Sequence, residues 1–116
     1  MSSEEFKNEL LRQSINLINV PNKILEQLNK SILILTKLSV KKLFIEYDKY
    51  NECIVIWLNL YNQILVNINV DEDPICTFSI FHNGELLVMD ELKLIDLIEK
   101  LKLIQDKLNA DIYRKQ

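Results

Sequence analysis

Glycine and histidine are nearly missing from this chain, which carries one of each in 116 residues, Gly84 and His82, two positions apart. A phosphate-cradling loop needs several glycines so that the backbone can close on the ligand, and nucleotide-binding loops of that kind are excluded. Histidine chemistry has only His82 to draw on, and no nucleophile or orienting group is marked beside it. Its place at the opening of an Asn83-Gly84 turn assigns it to structure or to solvent. Cysteine is scarce as well. Cys53 and Cys76 stand too far apart for a CxxC redox or zinc arrangement, and both lie in apolar runs where a reduced thiol packs. No apolar run approaches the ~20 residues needed to cross a bilayer. The Ser2-Ser3-Glu4-Glu5 start is acidic where a secretion signal is basic, so a cytoplasmic location without a membrane partner is expected.

What the chain does contain is globular in balance: 48% hydrophobic and 27% charged residues, far from the composition of disorder. Its length suits one domain with a single core. The net charge of −3 comes from acidic and basic residues interspersed along the chain, and the Lys41-Lys42 pair is too small for a footprint on nucleic acid. No nucleic-acid partner is therefore expected. Ile, Leu, Lys and Asn dominate, a bias typical of an AT-rich genome.

Along the chain the period of the apolar residues changes twice. Ser2 with Glu5 makes a capping box, and Phe6, Leu10, Leu11, Leu17 and Ile18 recur at helical spacing, predicting a helix over about 3–18. Pro21 suits a first helical turn, and Ile24, Leu25, Leu28, Ile32 and Leu35 stripe a second helix over about 21–38, whose end also reads as a buried strand. From Lys42 the period is two. Strands are predicted over about 42–48, 53–60, 64–70, 75–82 and 85–89.

Loop lengths can be tested against side-chain alternation, because a one-residue slip turns every side chain to the other face. The Lys49-to-Glu52 loop sets Tyr47 opposite Ile54 and Phe44 opposite Trp57. A loop of Tyr61, Asn62 and Gln63 aligns Leu58 with Val66 and Ile56 with Ile68, with Asn62 or Gln63 left-handed. Asp71-Glu72-Asp73-Pro74 is a turn that leaves the next register open, and Asn83-Gly84 is a strong hairpin signal. Asp90 is predicted to cap a last helix over about 91–109, striped by Leu94, Leu97, Leu101, Ile104 and Leu108. The fold class is α+β: a five-stranded antiparallel meander with an N-terminal helix pair and a long C-terminal helix packed on one face.

Candidate chemistry is thin. The carboxylates of Asp71, Glu72 and Asp73 suit a hard cation, but they lack the alternation and the glycine of a calcium loop, and a solvated turn accounts for them. Asp90, Glu91 and Lys93 resemble the acid-x-Lys element of metal-dependent nucleases, which needs its groups at the ends of neighbouring strands. A helical first turn is the expected setting here. No catalytic, cofactor or metal residue is assigned, and no cofactor is expected.

The face of the sheet turned away from the helices carries the sharper signal. Phe44, Glu46, Cys53, Val55, Trp57, Asn59, Leu65, Asn67 and Asn69 share it, a mixture where a solvated face should be polar. Apolar residues also crowd a wide arc of the last helix. Phe44, Val55, Trp57, Leu65, Leu97, Leu101 and Ile104 are the candidate interface, with Trp57 its anchor. Size, acidity and architecture resemble in outline small partner proteins such as type III secretion chaperones, toxin-immunity proteins and phage-encoded inhibitors, although no motif carries the likeness and the chaperones' helix within the strand series is missing. The expectation is a non-enzymatic, inhibitor-like protein-binding module, a homodimer that occupies a partner protein's surface. The alternative is a ligand-binding or hydrolytic site using His82 and the acidic loop.

Overall fold

A computed structural model describes residues 1–114, and their side chains as far as Leu108. Helix α1 (Ser3–Gln13) opens on the Ser2/Glu5 capping box and passes into a 3-10 turn, Ser14–Leu17. Helix α2 (Asn22–Leu35) follows Pro21, and strands β1 (Val40–Asp48), β2 (Cys53–Leu60), β3 (Ile64–Val70), β4 (Ile75–His82) and β5 (Glu85–Lys93) lead to helix α3 (Leu94–Arg114). The strands form one antiparallel sheet in sequence order. No helix of the described residues is long and apolar enough to cross a membrane.

The connections follow the side-chain period. Tyr47 pairs with Ile54, Phe44 with Trp57, Ile56 with Ile68 and Leu58 with Val66. Both Asn62 and Gln63 take positive φ in the three-residue loop, and Asn83 and Gly84 both take it in the two-residue hairpin, the requirement of a type I′ turn. At the acidic turn, Asp71 Oδ1 accepts the Asp73 N–H at 2.8 Å and Asp73 Oδ1 accepts the Ile75 N–H at 3.0 Å.

One face of the sheet is the core. Ile54, Ile56, Leu58 and Leu60 of β2, Ile64, Val66, Ile68 and Val70 of β3, and Cys76, Phe78 and Ile80 of β4 are buried against Phe6, Ile24, Leu28, Leu35, Leu97 and Leu101 of the three helices. Each fully buried Ile or Leu contributes about 1.5–3 kcal/mol relative to exposure. Strict alternation leaves Ile75 and Phe81 on the opposite face, which settles the register of β4.

Five boundaries depart from the sequence expectation. Asp90 does not cap a helix, because β5 continues through Glu91, Leu92 and Lys93, pairing with Thr77, Cys76 and Ile75. The tight hairpin lays β5 beside the whole of β4, and stopping at Met89 would leave the β4 backbone unpaired; that ladder outweighs the capping preference of one aspartate. Asp90 Oδ1 accepts the Glu91 N–H instead, at 2.8 Å. The first α-helix stops at Gln13, not near residue 18, where that side chain turns to the sheet. Helix α2 stops at Leu35 rather than 38, with the Lys37 and Leu38 N–H groups closing a turn on Ile34 and Leu35, and β1 starts at Val40 rather than 42. Helix α3 runs on to Arg114.

The two edges of the sheet differ. Helix α1 and its 3-10 turn lie along β1, where the Gln13 side chain bonds Leu43 O and Ile45 N–H, Asn16 Nδ2 donates to Ile45 O at 3.1 Å, and the Met1 amine donates to Val40 O. Every residue of β5 is exposed or half-buried.

Candidate interaction surface

Antiparallel pairing assembles the outer face of the sheet into rows. One runs Phe44, Trp57, Asn67, Ser79, Met89 across the five strands; the next runs Lys42, Asn59, Leu65, Phe81, Leu86; a third runs Glu46, Val55, Asn69, Thr77, Glu91. Strands about 4.8 Å apart make each row roughly 19 Å wide. The first two rows hold the large apolar side chains, so the face has an apolar band with Asn and Ser set into it, continued by Val55 into an otherwise polar row beside it. Asn69 Nδ2 donates to Thr77 Oγ1 at 3.2 Å within that polar row.

All three helices pack on the other face, so this band keeps its exposure: Phe44 is 49% exposed and Met89 73%, while Val55, Trp57 and Leu65 are half-buried by one another and their neighbours. Phe44 and Trp57 are direct cross-strand partners, so two aromatic side chains stand side by side on this face. A half-buried indole combines a large apolar body with an N–H donor, the features of an interface anchor.

The residues expected on the last helix divide. Leu97 and Leu101 are 0% exposed and belong to the core, and Ile104 is half-buried against it. They carry the contact of α3 with this chain. As far as Leu108, the exposed large apolar residues of the helix are Ile95 and Leu103. A cleft of about 480 Å³ lies between α2 and α3, lined by Ile34, Leu38, Ile95 and Ile98 with Lys37, Glu99, Lys102 and Asp106 at its mouth.

Sequence reasoning missed two parts of the surface. Leu86 and Leu87 of β5 are exposed, and with Met89 they extend the apolar band to the open edge; their signal was the unbroken run Leu86-Leu87-Val88-Met89, hidden by reading the following residues as helix. Leu11, Ile15 and Ile18 are exposed along α1 and its extension, one helical turn apart.

The candidate chemical groups do not gather. His82 and the acidic turn lie at opposite ends of β4, about 25 Å apart along eight residues, so no single pocket uses both. With β5 extended, Glu91 and Lys93 do stand on a strand, but Thr77 and Ile75 are their partners across it. Among the described residues no three His, Cys, Asp or Glu side chains converge as metal ligands. Both thiols are free and buried; burial raises that of Cys76 to about 11, with Asp71 and Asp73 adding to it, and raises that of Cys53 in the same direction. They stay protonated and unreactive.

No protein-family model, no curated protein and no solved structure matches this chain.

Proposed function

We propose that this chain is a non-enzymatic protein-binding module of the cytosol, a homodimer that acts by occupying the surface of a partner protein in the manner of an inhibitor, immunity or chaperone-like protein. The observation that carries the reading is the outer face of the sheet, where Phe44, Trp57, Leu65, Phe81 and Met89 form an apolar band that no helix of the described residues covers. A monomer that kept this face in water would be expected to line it with polar side chains. The Asn and Ser side chains within the band supply the hydrogen bonds that a protein interface places among its apolar contacts.

Affinity capture from host lysate, run side by side with wild type, Trp57→Ala and His82→Ala, tests it. The same protein captured by wild type and His82→Ala, and lost with Trp57→Ala, supports a surface role. Undiminished capture by Trp57→Ala, or loss with His82→Ala, overturns it.

A further inference from the structure

Asn83 is the one asparagine of this chain that precedes a glycine, since Gly84 is the only glycine. Such a pair carries chemistry of its own: the glycine nitrogen can attack the asparagine side-chain amide and close a five-membered ring, a step that a side chain on the second residue hinders. Whether a folded chain reaches that ring is decided by ψ of the asparagine. The nitrogen comes level with Cβ at a ψ of about −120°, because N and Cβ stand about 120° apart around Cα. A type I′ turn holds this ψ at about +30°, out of reach, whereas a type II′ turn holds it at about −120° with the same positive φ at the first central residue.

The β4–β5 hairpin passes from one turn to the other by rotating the single Asn83–Gly84 peptide, and its surroundings leave that rotation open. Asn83 already holds φ at 52°, the sign that both turn types require there. Its N–H donates to Gln63 O at 3.1 Å, and that contact stays in place when only the following peptide turns. Gly84, at φ 82°, reaches the negative φ of a type II′ turn at no steric cost, because it has no Cβ. A Cβ built on it would meet nothing within 4 Å, so the glycine side of the turn is open. The Gly84 N–H has no hydrogen bond among the described residues, and Asn83, Gly84 and Glu85 are all exposed to water. Both turn types close two-residue hairpins, so the pairing of His82 with Glu85 beside the turn survives the exchange.

We propose that Asn83 is a site of spontaneous modification, deamidating from within the folded hairpin through its type II′ form. The Gly84 nitrogen gives up its proton to hydroxide and bonds to Asn83 Cγ; the Cγ–Nδ2 bond breaks, and Nδ2 leaves as ammonia with a proton from water. Water then opens the ring. Attack at Cγ breaks its new bond to nitrogen and gives an ordinary aspartyl residue. Attack at the main-chain carbonyl carbon breaks the original peptide bond and gives an isoaspartyl residue, whose main chain runs through Cβ and Cγ. Either product adds one negative charge at the tip, next to Glu85. An aspartyl-glycine pair keeps the type I′ turn. The isoaspartyl link lengthens the main chain by one carbon, so the loop no longer closes His82 on Glu85 in register, and the start of β5, with its exposed Leu86 and Leu87, is loosened.

Incubation of the folded chain at mildly alkaline pH, beside the same chain in urea, tests it. Peptide mapping by mass spectrometry follows the exchange of ammonia for water at each asparagine, and an isoaspartyl methyltransferase with labelled S-adenosylmethionine measures the isoaspartyl product. Asn83 is expected to react first and to give both products. Its folded rate is expected within about a hundredfold of the rate in urea, the factor by which a minor turn conformer at about 1% of the population slows the reaction. Reaction through global unfolding alone is slower by ~10³-fold or more, so a folded rate more than about a hundredfold below the rate in urea overturns the native-hairpin route. Asn83→Gln, whose amide would have to close a six-membered ring, is expected to lose the reaction. Gln63 already holds φ at 59° in the neighbouring loop, so that variant is expected to fold, with circular dichroism as the check. If it does not fold, the mapping of the wild-type chain decides. An undiminished reaction in folded Asn83→Gln, or an earlier reaction at another asparagine, overturns the assignment to Asn83.

Discussion

Gln13 completes the sheet at Ile45: its side-chain Oε1 accepts the Ile45 N–H at 2.7 Å, and its Nε2 donates to the neighbouring Leu43 carbonyl at 2.6 Å. A side-chain amide carries the same donor and acceptor as a peptide group, so one glutamine stands in for a short stretch of a sixth strand. Nε2 also donates to Glu9 Oε1 at 2.7 Å, which fixes the orientation of the amide.

Removing that side chain should therefore cost more than an ordinary surface substitution. Gln13→Ala leaves the Ile45 N–H and the Leu43 carbonyl without their partner in a buried position, and a loss of about 1–3 kcal/mol is expected from urea denaturation. A loss below about 0.5 kcal/mol would show that water takes over these groups.

Glu9 should titrate abnormally. Hydrogen bonds from Arg12 first and Gln13 second hold its carboxyl at about 2, below the ordinary 4.5. A depressed folded value means that its contribution to stability is present above pH 4.5 and lost as pH falls through about 2. NMR titration of the Glu9 carboxyl should give this low midpoint, and Arg12→Ala should move it up toward the ordinary value.

Leu97 and Trp57 should separate folding from binding. Leu97→Ala empties a fully buried site and is expected to cost about 2–5 kcal/mol. Trp57→Ala acts on a half-buried side chain outside the helix-covered core, so its stability loss should stay below about 3 kcal/mol while partner binding or dimerisation falls by ~2 kcal/mol or more. Denaturation beside sedimentation and capture assays measures both, and a stability loss for Trp57→Ala above that bound would return it to the core.

Alkaline pH should weaken the fold through Cys76. Burial raises its thiol from 9.0 to about 11, so the folded chain retains a proton that the unfolded chain releases; the contribution is complete below pH 9 and lost as pH rises through about 11. The decline of the denaturation midpoint over this range should be shallower in Cys76→Ala than in wild type.

His82→Ala and Asp73→Asn should leave partner capture close to wild type. Asparagine keeps the side-chain oxygen that accepts the Ile75 N–H, and His82 stands at the far end of β4 from the acidic turn. A tenfold loss in either folded variant would favour a chemical site over a surface role.

Much of the meander was legible before any coordinates, because its information is local. Alternation within each strand and the length of the loop beside it are enough to set Tyr47 against Ile54, Ile56 against Ile68 and Phe44 against Trp57, and to put Ile75 and Phe81 on the face opposite Phe78. The mixed character of the outer face follows from the same counting. Tertiary structure decided what depends on distant groups. Asp90 has the chemistry of a helix cap, yet it continues a strand because the Asn83-Gly84 turn brings the full length of β4 beside it. Leu97 and Leu101 look like surplus apolar surface on a helix until α3 is laid across the sheet. Gln13 has no sequence signature at all, since its partner is backbone 32 residues away, and any residue type could have supplied that N–H. Helical and strand periods report which side chains share a face; which backbone edges remain open is a property of the assembled sheet, and it is there that β1 is closed and β5 is not.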